Sequence, residues 1–474
     1  MTGGAFSSDD LLSTIDGQFS RVPDRPALVG PQGTLTYREL DRESAAVAER
    51  LRAAGLRAGD GVVLHSRLSP WAVVAMLGTL RAGGRYVPVD SGFPADRQRL
   101  MTELSGARLA LREPDPVPLS IGEGETPTGS GMAYTCFTSG STGTPGRVDV
   151  PLSCLAFSTF TRLGYYREPV SGFLLCSSIS FDSSVAGIYW TLVSGGTLIV
   201  PSDRPADLVA VARSAAYHRA SHLLMIPSLY QLLVSGGLSD LLASLRVVVV
   251  AGEPCPPRLV AAHFDKLPGT ELHNEYGPTE CTVWSTVHRC VPTDAAGDSV
   301  PIGRPLANTS VQVRDDAGRP VEPGAVGEMW IEGPHVAAPN HGTAYRTGDR
   351  ARVRADGALE FRGRADGQLK LGGARVELGE IEHVLARHEH VGAAAVGVAG
   401  RHGQRPQLAA YVVAHGEVDP DPEALRRHAR RYLPLAAVPS VVVVVERLPC
   451  LPNGKLDRRR IDELTAALPS RGTA

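Results

Sequence analysis

A loop of glycines and hydroxyl-bearing residues follows a predicted strand in the first third of the sequence. The strand AYTCF leads into TSGSTGTPGRV within residues 133–148. Such a loop brings backbone N–H groups and hydroxyls close to phosphate oxygens. It lacks the Gly-Lys-Ser/Thr ending of a P-loop NTPase, so by itself it is either a phosphate-binding loop or an ordinary surface turn. The candidate contacts are Thr138, Ser139, Gly140, Ser141, Thr142 and Gly143.

A second block, HNEYGPTE at residues 273–280, follows another predicted strand. Here Tyr276 is placed to stack on a nucleobase, and Glu280 is placed to hold a divalent cation that bridges phosphates. The alternative is a turn with a buried tyrosine and a solvated acid.

Three further blocks carry charged residues next to turns. In YRTGDR at 345–350, Asp349 is a candidate acceptor for ribose hydroxyls, as acids are at other nucleotide sites, or an ordinary turn aspartate. The block GRADGQLKLGGARVELGEIE spans residues 363–382, and LPNGKLDR spans 451–458. Lys455 follows an Asn-Gly turn, where a lysine is usually a solvated surface residue.

Alternating helices and strands must position these blocks. Leu40, Val47, Leu51 and Ala54 recur at helical spacing, and Gly55 follows where a helix would stop. Next, GDGVVLHS, WAVVAMLGTLRAGG and RYVPVD read as strand, helix and strand. This rhythm predicts an α/β fold with a parallel sheet covered by helices.

The character of the sequence changes after Glu328, where short strands alternate with glycine-containing turns. We therefore predict a large N-terminal α/β domain over residues 1–365, ending in a short β-barrel-like part. A small C-terminal α+β domain over 366–474 follows a boundary near Asp366. The Pro/Gly-rich segment 113–131 is predicted to be a loop.

Composition narrows the function classes. The chain has 474 residues, 48 basic against 50 acidic residues and 43% hydrophobic residues, as is typical of a soluble multidomain protein. This charge balance gives no overall field that would attract nucleic acid or an anionic membrane. Seven cysteines form no C-x-x-C pair, the N-terminus has no export signal, and no apolar run approaches the ~20 residues that span a bilayer. We expect a cytoplasmic protein with no nucleic-acid or membrane partner.

Taken in order, the five blocks resemble those of the adenylate-forming, AMP-binding superfamily, and specifically the adenylation domains of nonribosomal peptide synthetases. The resemblance runs from about Phe19 to Ile461. It implies ATP-dependent, Mg²⁺-assisted adenylation of an amino acid, then transfer to the phosphopantetheine thiol of a carrier protein in secondary metabolism, such as antibiotic biosynthesis. No carrier segment is visible, which predicts a freestanding domain that meets a separate carrier protein, and an MbtH-like protein is a further candidate partner.

The resemblance also implies residue roles. Lys455 matches the catalytic lysine, Asp349 the ribose-binding acid, Glu280 the magnesium ligand and Asp366 the hinge, while Lys370 lies on a second face that the small domain presents. The remaining ATP contacts implied are the loop Thr138–Gly143, Asn274, Glu275, Tyr276, Gly277, Thr279, Phe361 and Arg364. The family usually has a lysine where this chain has Gly146, and we expect Arg147 to supply that charge. The segment between Gly333 and Tyr345 is shorter than is usual in the family.

The amino-acid site is implied by FDSSVAG at residues 181–187, whose Asp182 matches the acid that binds the α-ammonium; the alternative is a helix-capping aspartate. The implied side-chain pocket is formed by Ser183, Ala186, Leu224, Val249, Ala251, Glu275, Val283 and Trp284. An unpaired buried carboxylate is costly, so we expect the substrate to offer Glu275 a donor. Histidine is favoured, with tyrosine or a related aromatic amino acid as the alternative. Two rival functions are an acyl-CoA ligase of the same fold and a degenerate, non-catalytic docking domain.

Overall fold

The computed structural model describes residues 8–112, 115–118, 131–138, 145–338, 342–364, 369–371, 374–399, 407–415, 419–449 and 456–468. The chain divides into two compact units. The first comprises Met1–Gly92, Met101–Phe137 and Arg147–Ala365, and the second comprises Phe93–Leu100, Thr138–Gly146 and Asp366–Ala474. No helix among the described residues is long and apolar enough to cross a bilayer.

Helices and strands alternate along residues 8–364. The helices are α1 (Ser8–Arg21), α2 (Tyr37–Ala53), α3 (Pro70–Arg81), α4 (Ala95–Leu104), α5 (Leu152–Tyr165), α6 (Asp182–Ser194), α7 (Leu208–Tyr217), α8 (Pro227–Ser235) and α9 (Pro257–Lys266). The strands are β1 (Pro26–Gly30), β2 (Gly33–Thr36), β3 (Gly61–Ser66), β4 (Arg85–Asp90), β5 (Leu109–Arg112), β6 (Asp115–Pro118), β7 (Met132–Thr138), β8 (Gly146–Pro151), β9 (Gly172–Leu175), β10 (Thr197–Ile199), β11 (His222–Met225), β12 (Val247–Ala251), β13 (Glu271–Tyr276), β14 (Thr286–Arg289), β15 (Arg304–Pro305), β16 (Ser310–Arg314), β17 (Val326–Glu332), β18 (Tyr345–Val353) and β19 (Leu359–Arg364). Short 3-10 turns lie at Ser239–Leu242, Thr279–Cys281 and Pro292–Ala296.

Local sequence explains where these elements begin and end. Helix α2 starts at a capping box, in which Thr36 accepts from the Glu39 amide and Glu39 accepts from the Thr36 amide. It ends just before Gly55, whose φ of 86° is a left-handed value that glycine adopts readily. The predicted strand–helix–strand run appears as β3, α3 and β4, and β3 and β4 pair in parallel.

Two sheets form the first unit's core. One has six strands in the order β6-β5-β3-β4-β7-β8, and the other has nine in the order β15-β14-β13-β12-β11-β9-β10-β1-β2. Its central strands are parallel. Alternate residues of β11 and β12 enter different cores: Leu224 and Val249 pack with α5 and α6, whereas Leu223 and Val248 pack with α7, α8 and α9. Helices therefore cover both faces, as predicted for an α/β fold.

The prediction of a continuous loop over residues 113–131 is wrong for Asp115–Pro118, which forms strand β6 and pairs antiparallel with β5. The prolines that suggested a loop are tolerated because β6 is an edge strand, where one side of the backbone needs no partner strand. The part of this segment at residues 113–114 and 119–130 lies outside the described residues.

The β-barrel-like part is a four-stranded antiparallel sheet in the order β16-β17-β18-β19. It has its own small core, which includes Met329, Ile331 and Leu359, and the ring of Tyr276 from β13 packs into this core. The sheet therefore brings β18 and β19 next to the end of β13.

The second unit is a small α+β structure. Its elements over residues 369–468 are the strands β20 (Leu369–Leu371), β21 (Ala374–Val376), β22 (Val391–Ala399), β23 (Gln407–Ala414) and β24 (Val441–Val444), the helices α10 (Leu378–Ala386), α11 (Pro422–Tyr432) and α12 (Arg458–Ala466), and a 3-10 turn at Leu435–Ala437. Strands β22, β23 and β24 form one sheet. Helix α12 packs closely on β22 because Gly397 has no side chain: a Cβ there would lie 3.0 Å from the Ile461 carbonyl oxygen.

Candidate active site

Asp349 lies at the centre of a buried polar cluster. In the register of β18 and β19, Asp349 is the direct partner of Arg364. The Arg364 guanidinium donates to Asp349 Oδ1 and, at 3.2 Å, to the carbonyl oxygen of Thr347. From the end of β13, the Tyr276 hydroxyl donates to Asp349 Oδ2 at 2.5 Å. The structure thus brings together three residues that are separated by up to 88 positions (364 minus 276) in the sequence.

The cluster has the chemistry of a nucleotide site. Burial first, and the adjacent Asp349 charge second, raise the pKa of Tyr276 well above its ordinary value, so its hydroxyl stays protonated and donates. A carboxylate has about four lone-pair sites, so Asp349 can accept further bonds from ribose hydroxyls. The Phe361 ring lies 6.5 Å from the Tyr276 ring, measured between centroids.

The predicted metal ligand Glu280 is buried within the turn Thr279–Cys281. Its backbone oxygen accepts from the amides of Ala337 (2.8 Å) and Ala338 (3.2 Å). The start of the shortened segment that follows β17 is therefore anchored beside Glu280.

Asn274 and Glu275 point to opposite faces of β13, because side chains alternate along a strand. Asn274 shares the Tyr276 face and donates through its side-chain amide to the Pro301 carbonyl oxygen at 2.8 Å. Glu275 is directed instead toward α5. The implied assignment of Glu275 to both the ATP site and the amino-acid pocket therefore conflicts with the geometry, which places it away from Tyr276.

Glu275 is not an unpaired carboxylate, so the premise from which we favoured histidine is wrong. Arg162 of α5 donates to both Glu275 oxygens, with the Nη2–Oε2 bond at 3.0 Å. The Tyr166 hydroxyl donates to Oε1 at 2.5 Å. Burial first, and the Glu275 charge second, raise the pKa of Tyr166 well above its ordinary value, so it remains a donor. All three side chains are buried.

Aromatic rings enclose the Arg162 guanidinium. Its central carbon lies 4.1 Å from the Trp284 ring centroid and 5.8 Å from that of Trp190, both within cation–π range. Sequence reasoning missed Arg162 because arginine is usually exposed. The available signal was its helical spacing from Leu155 and Ser158, which both lie on the buried face of α5.

Three of the remaining pocket residues lie on the parallel strands β11 and β12: Leu224, Val249 and Ala251. Leu224 of β11 pairs directly with Val249 of β12, and Ala251 pairs with Glu275. Four of the predicted lining residues share one core cluster, and a fifth packs against it: Ala186, Leu224, Val249 and Trp284, with Val283. The carboxyl ends of parallel strands are where open α/β sheets bind ligands.

Asp182 is the first residue of α6, and Ser183 follows it in the first turn. The capping position is Phe181, so the helix-cap interpretation of Asp182 is wrong. The carboxylate adds to burial in raising the pKa of the Cys136 thiol in β7, which places Asp182 near the strand that leads into the predicted phosphate-binding loop.

The backbone of the pocket wall is strained. Thr282 and Val283 have φ values of 50° and 81°, a left-handed conformation that β-branched residues rarely adopt. Two hydrogen bonds hold this backbone conformation. The Thr282 hydroxyl donates to the His335 carbonyl oxygen at 2.8 Å, and the Ser158 hydroxyl donates to the Thr282 carbonyl oxygen at 3.0 Å. Gly277 is required here, because a Cβ would lie 2.5 Å from the Trp284 Cα.

The imidazole of His335 is fully buried behind this wall. Its Nε2 lies 3.0 Å from the Ser285 hydroxyl oxygen, and its ring stacks on Phe157 with centroids 5.5 Å apart. Burial lowers the pKa of His335 to about 4, so the ring is neutral near pH 7. Sequence reasoning did not identify this residue.

Several predicted site residues are outside the described part of the chain: Ser139, Gly140, Ser141, Thr142, Gly143, Asp366 and Lys455. The Thr138 hydroxyl lies 3.4 Å from the Gly146 carbonyl oxygen. Arg147, which we expected to replace the family's loop lysine, forms an ion pair with Asp149 at 2.9 Å. Asp149 also lies 3.8 Å from the buried Arg85 guanidinium, so two arginines share this one carboxylate.

Comparisons with known proteins cover most of the chain. The profile described as AMP-binding enzyme matches residues 15–128 and 113–339, and that of the AMP-binding enzyme C-terminal domain matches residues 380–455. Phosphinothricin tripeptide synthetase PhsB of Streptomyces viridochromogenes is 35% identical over 98% of this chain and 43% of its own length. The chain spans less than half the length of the curated relatives it matches, from 8% to 45%.

Two solved structures are similar along their whole length. The amide bond synthetase McbA of Marinactinospora thermotolerans has a TM-score of 0.83 at 26% identity, covering 95% of this chain and 99% of McbA. The fused adenylation–PCP di-domain NpsA-ThdA of Klebsiella oxytoca has a TM-score of 0.78 at 27% identity, covering 91% and 93%.

The fold and these matches define a member of the adenylate-forming superfamily. The chain belongs to the AMP-binding enzyme family, as an adenylation domain of the nonribosomal peptide synthetase type.

Proposed function

We propose that the chain activates an amino acid as its aminoacyl-AMP and transfers the aminoacyl group to the phosphopantetheine thiol of a carrier protein. The observation that carries this proposal is the position of Asp182, at the start of α6 and at the carboxyl ends of parallel strands. An acid there matches an α-ammonium group, for which an aryl or fatty acid has no counterpart. The cytoplasm, which supplies ATP, suits the six buried free cysteines of the described residues.

In the proposed reaction, a substrate carboxylate oxygen forms a bond to the α-phosphorus of ATP, and the bond to the β-phosphate oxygen breaks to release pyrophosphate. The carboxylate is already ionised near neutral pH, so no general base is needed. Lys455 would offset negative charge on the carboxylate and α-phosphate oxygens as it builds. Asp349 would orient the ribose, Tyr276 would pack against adenine, and the loop from Thr138 would contact the phosphates.

Mg²⁺ is implied by the family, and the site has a donor that suits it. Glu280 offers a carboxylate, the oxygen ligand that this hard cation prefers, within a turn fixed by two backbone hydrogen bonds. Bound Mg²⁺ would neutralise phosphate charge. The Glu280 carboxylate would hold the Mg²⁺ ion.

For the substrate side chain, the buried ion pair removes the electrostatic reason for histidine. Glu275 is charge-balanced by Arg162, so a cation or donor from the substrate is not required. What still supports histidine is the resemblance of the lining residues to histidine-selecting pockets. Trp284 also suits a planar ring, which keeps tyrosine as the alternative.

Pyrophosphate exchange tests the adenylation step. The full chain is assayed for ATP–pyrophosphate exchange with each of the twenty amino acids, co-expressed with and without an MbtH-like protein. We expect exchange with one or a few amino acids, near-complete loss in Lys455→Ala, and full activity in Lys266→Ala, which alters an exposed lysine beside Asp265. Absence of exchange with every amino acid would support the non-catalytic alternative.

The acceptor is tested separately. The similarity to McbA, described as an amide bond synthetase, makes a free amine the second candidate acceptor. The activated amino acid is offered to a phosphopantetheinylated carrier protein, a primary amine and coenzyme A, and products are identified by mass. We expect the aminoacylated carrier. Amide or acyl-CoA as the main product would overturn the transfer step while leaving adenylation intact.

A further inference from the structure

Three potential metal ligands, with a fourth candidate beside them, lie near one edge of the nine-stranded sheet. His288 and Cys290 lie at and just after the end of β14, and Asp294 lies in the 3-10 turn Pro292–Ala296. A ring nitrogen of His288, Cys290 Sγ and a carboxylate oxygen of Asp294 all lie within 4.8 Å of one another. Cys255, between β12 and α9, lies beside Cys290 but outside this group of three, and is the candidate fourth ligand.

We propose that Cys255, His288, Cys290 and Asp294 form a structural Zn²⁺ site. Two sulfurs, one imidazole nitrogen and one carboxylate oxygen are ligands that Zn²⁺ accepts, and four protein ligands make the closed coordination of a structural site. The pairing of soft thiolates with nitrogen disfavours Mg²⁺ and Ca²⁺, which require oxygen ligands.

The present distances are close to those of such a site. A tetrahedral Zn²⁺ with bonds of about 2.0–2.3 Å separates its ligand atoms by roughly 3.3–3.8 Å. The His288 Nε2–Asp294 Oδ2 distance is 2.9 Å, slightly shorter than this, and the upper limit of 4.8 Å for the His288, Cys290 and Asp294 ligand atoms is longer. Side-chain rotations of these three residues, and a closer approach of the Cys255 thiol, would form the site. Both thiols lose their protons to solvent when the ion binds.

The backbone around the four ligands is held by other contacts. The Cys290 amide donates to the Leu272 carbonyl oxygen at 2.8 Å, and the Val291 amide donates to Asp294 Oδ2 at 2.8 Å. Both cysteines are buried, while the His288 and Asp294 side chains are 20% and 13% exposed and leave a path for the ion. A bound ion would join the loop before α9 to the turn after β14, two segments that are 35 positions apart (290 minus 255).

The test uses the full chain with any histidine tag removed, dialysed against Zn²⁺ and then against metal-free buffer. We expect one Zn²⁺ per chain by elemental analysis, and thiolate-to-metal charge-transfer bands after Co²⁺ substitution. His288→Ala and Cys290→Ser should weaken Zn²⁺ binding at least roughly 100-fold, since even outer-sphere partners of metal ligands contribute 10- to 100-fold. Cys176→Ser, at another buried free cysteine, should bind normally.

A second measurement on the unmodified chain avoids reliance on variants that fail to fold. Alkylation mapped by mass spectrometry, with and without Zn²⁺ under mild denaturation, should show protection of Cys255 and Cys290 but not of Cys176. No stoichiometric Zn²⁺, equal protection of all three thiols, or a Cys255–Cys290 disulfide in the freshly purified chain would each overturn the proposal. None of these outcomes depends on adenylation.

Discussion

Arg162 and Glu275 form a fully buried ion pair beneath the predicted amino-acid pocket, with Tyr166 as a third partner. Their side chains come from α5 and β13, 113 positions apart in the sequence. The sequence suggested an isolated acid in this predicted pocket. The structure has a charge-balanced ion pair there instead. Its balance has direct consequences for stability and for substrate choice.

We expect removal of one member of the pair to be strongly destabilising. Arg162→Met leaves the Glu275 carboxylate buried without its cation, and such losses cost about 3–5 kcal/mol. The double variant Arg162→Met/Glu275→Leu should recover most of this, because no buried charge remains. Urea-induced unfolding measures both. The exposed pair Arg38–Asp24 is the control, where Arg38→Met should cost at most about 1 kcal/mol. Additive losses in the double variant would contradict the coupling.

Asp182→Asn tests recognition of the α-ammonium group. Losing a charge-assisted hydrogen bond worth about 2 kcal/mol should lower kcat/KM for the amino acid roughly 30-fold in pyrophosphate exchange. The same substrate without its amino group should be used equally well by the variant and the wild type, because it makes no such bond. Asp207→Asn, at the cap of α7, is the matched control. Equal losses for both substrates would argue against this role.

Tyr276→Phe and Asp349→Asn separate two contributions to ATP binding. The first removes one hydrogen bond to Asp349 but keeps the ring, so the KM for ATP should rise about fivefold, which corresponds to about 1 kcal/mol. The second also leaves Arg364 without its carboxylate and should have a larger effect. Comparing ATP with 2′-deoxy-ATP is decisive: Tyr276→Phe should keep the preference for ATP, and Asp349→Asn should lose it. A preference that persists in Asp349→Asn would exclude ribose recognition by that residue.

The sequence predicted the parts of this fold that depend on local pattern. Strands β3 and β4 follow from hydrophobic runs, and the end of α2 follows from Gly55. Partners across the fold could not be predicted, since neither the hydrophobic pattern nor the ordered blocks indicates that Arg162 reaches Glu275. Arginine side chains are also usually exposed, so only the helical spacing of Arg162 from buried residues indicated that it is buried. Similarly, the prolines of β6 favour a loop in the sequence, but the pairing of this segment with β5 makes it a strand.

His335 should make the stability of the fold sensitive to mild acid. Its pKa is about 4 when folded and about 6.5 when unfolded, so between these values the unfolded chain binds more protons and stability falls as pH falls. Its contribution to the loss between pH 7 and pH 5 is roughly 2 kcal/mol. His335→Gln should therefore flatten the pH dependence of the unfolding free energy by that amount. His222, whose pKa burial also lowers to about 4, is present in both proteins and cancels in the comparison. Identical slopes would show that His335 is protonated within the fold.

The left-handed backbone at Thr282 and Val283 limits how the predicted amino-acid pocket can be redesigned. Strain of this kind stores about 1–3 kcal/mol per residue, so an exchange at position 283 changes the energy of the main chain as well as the shape of the pocket. Glycine or asparagine there would relax the chain, whereas isoleucine would keep it strained. The predicted pocket positions therefore cannot all be substituted independently, because at position 283 the residue type also determines the conformation of the main chain.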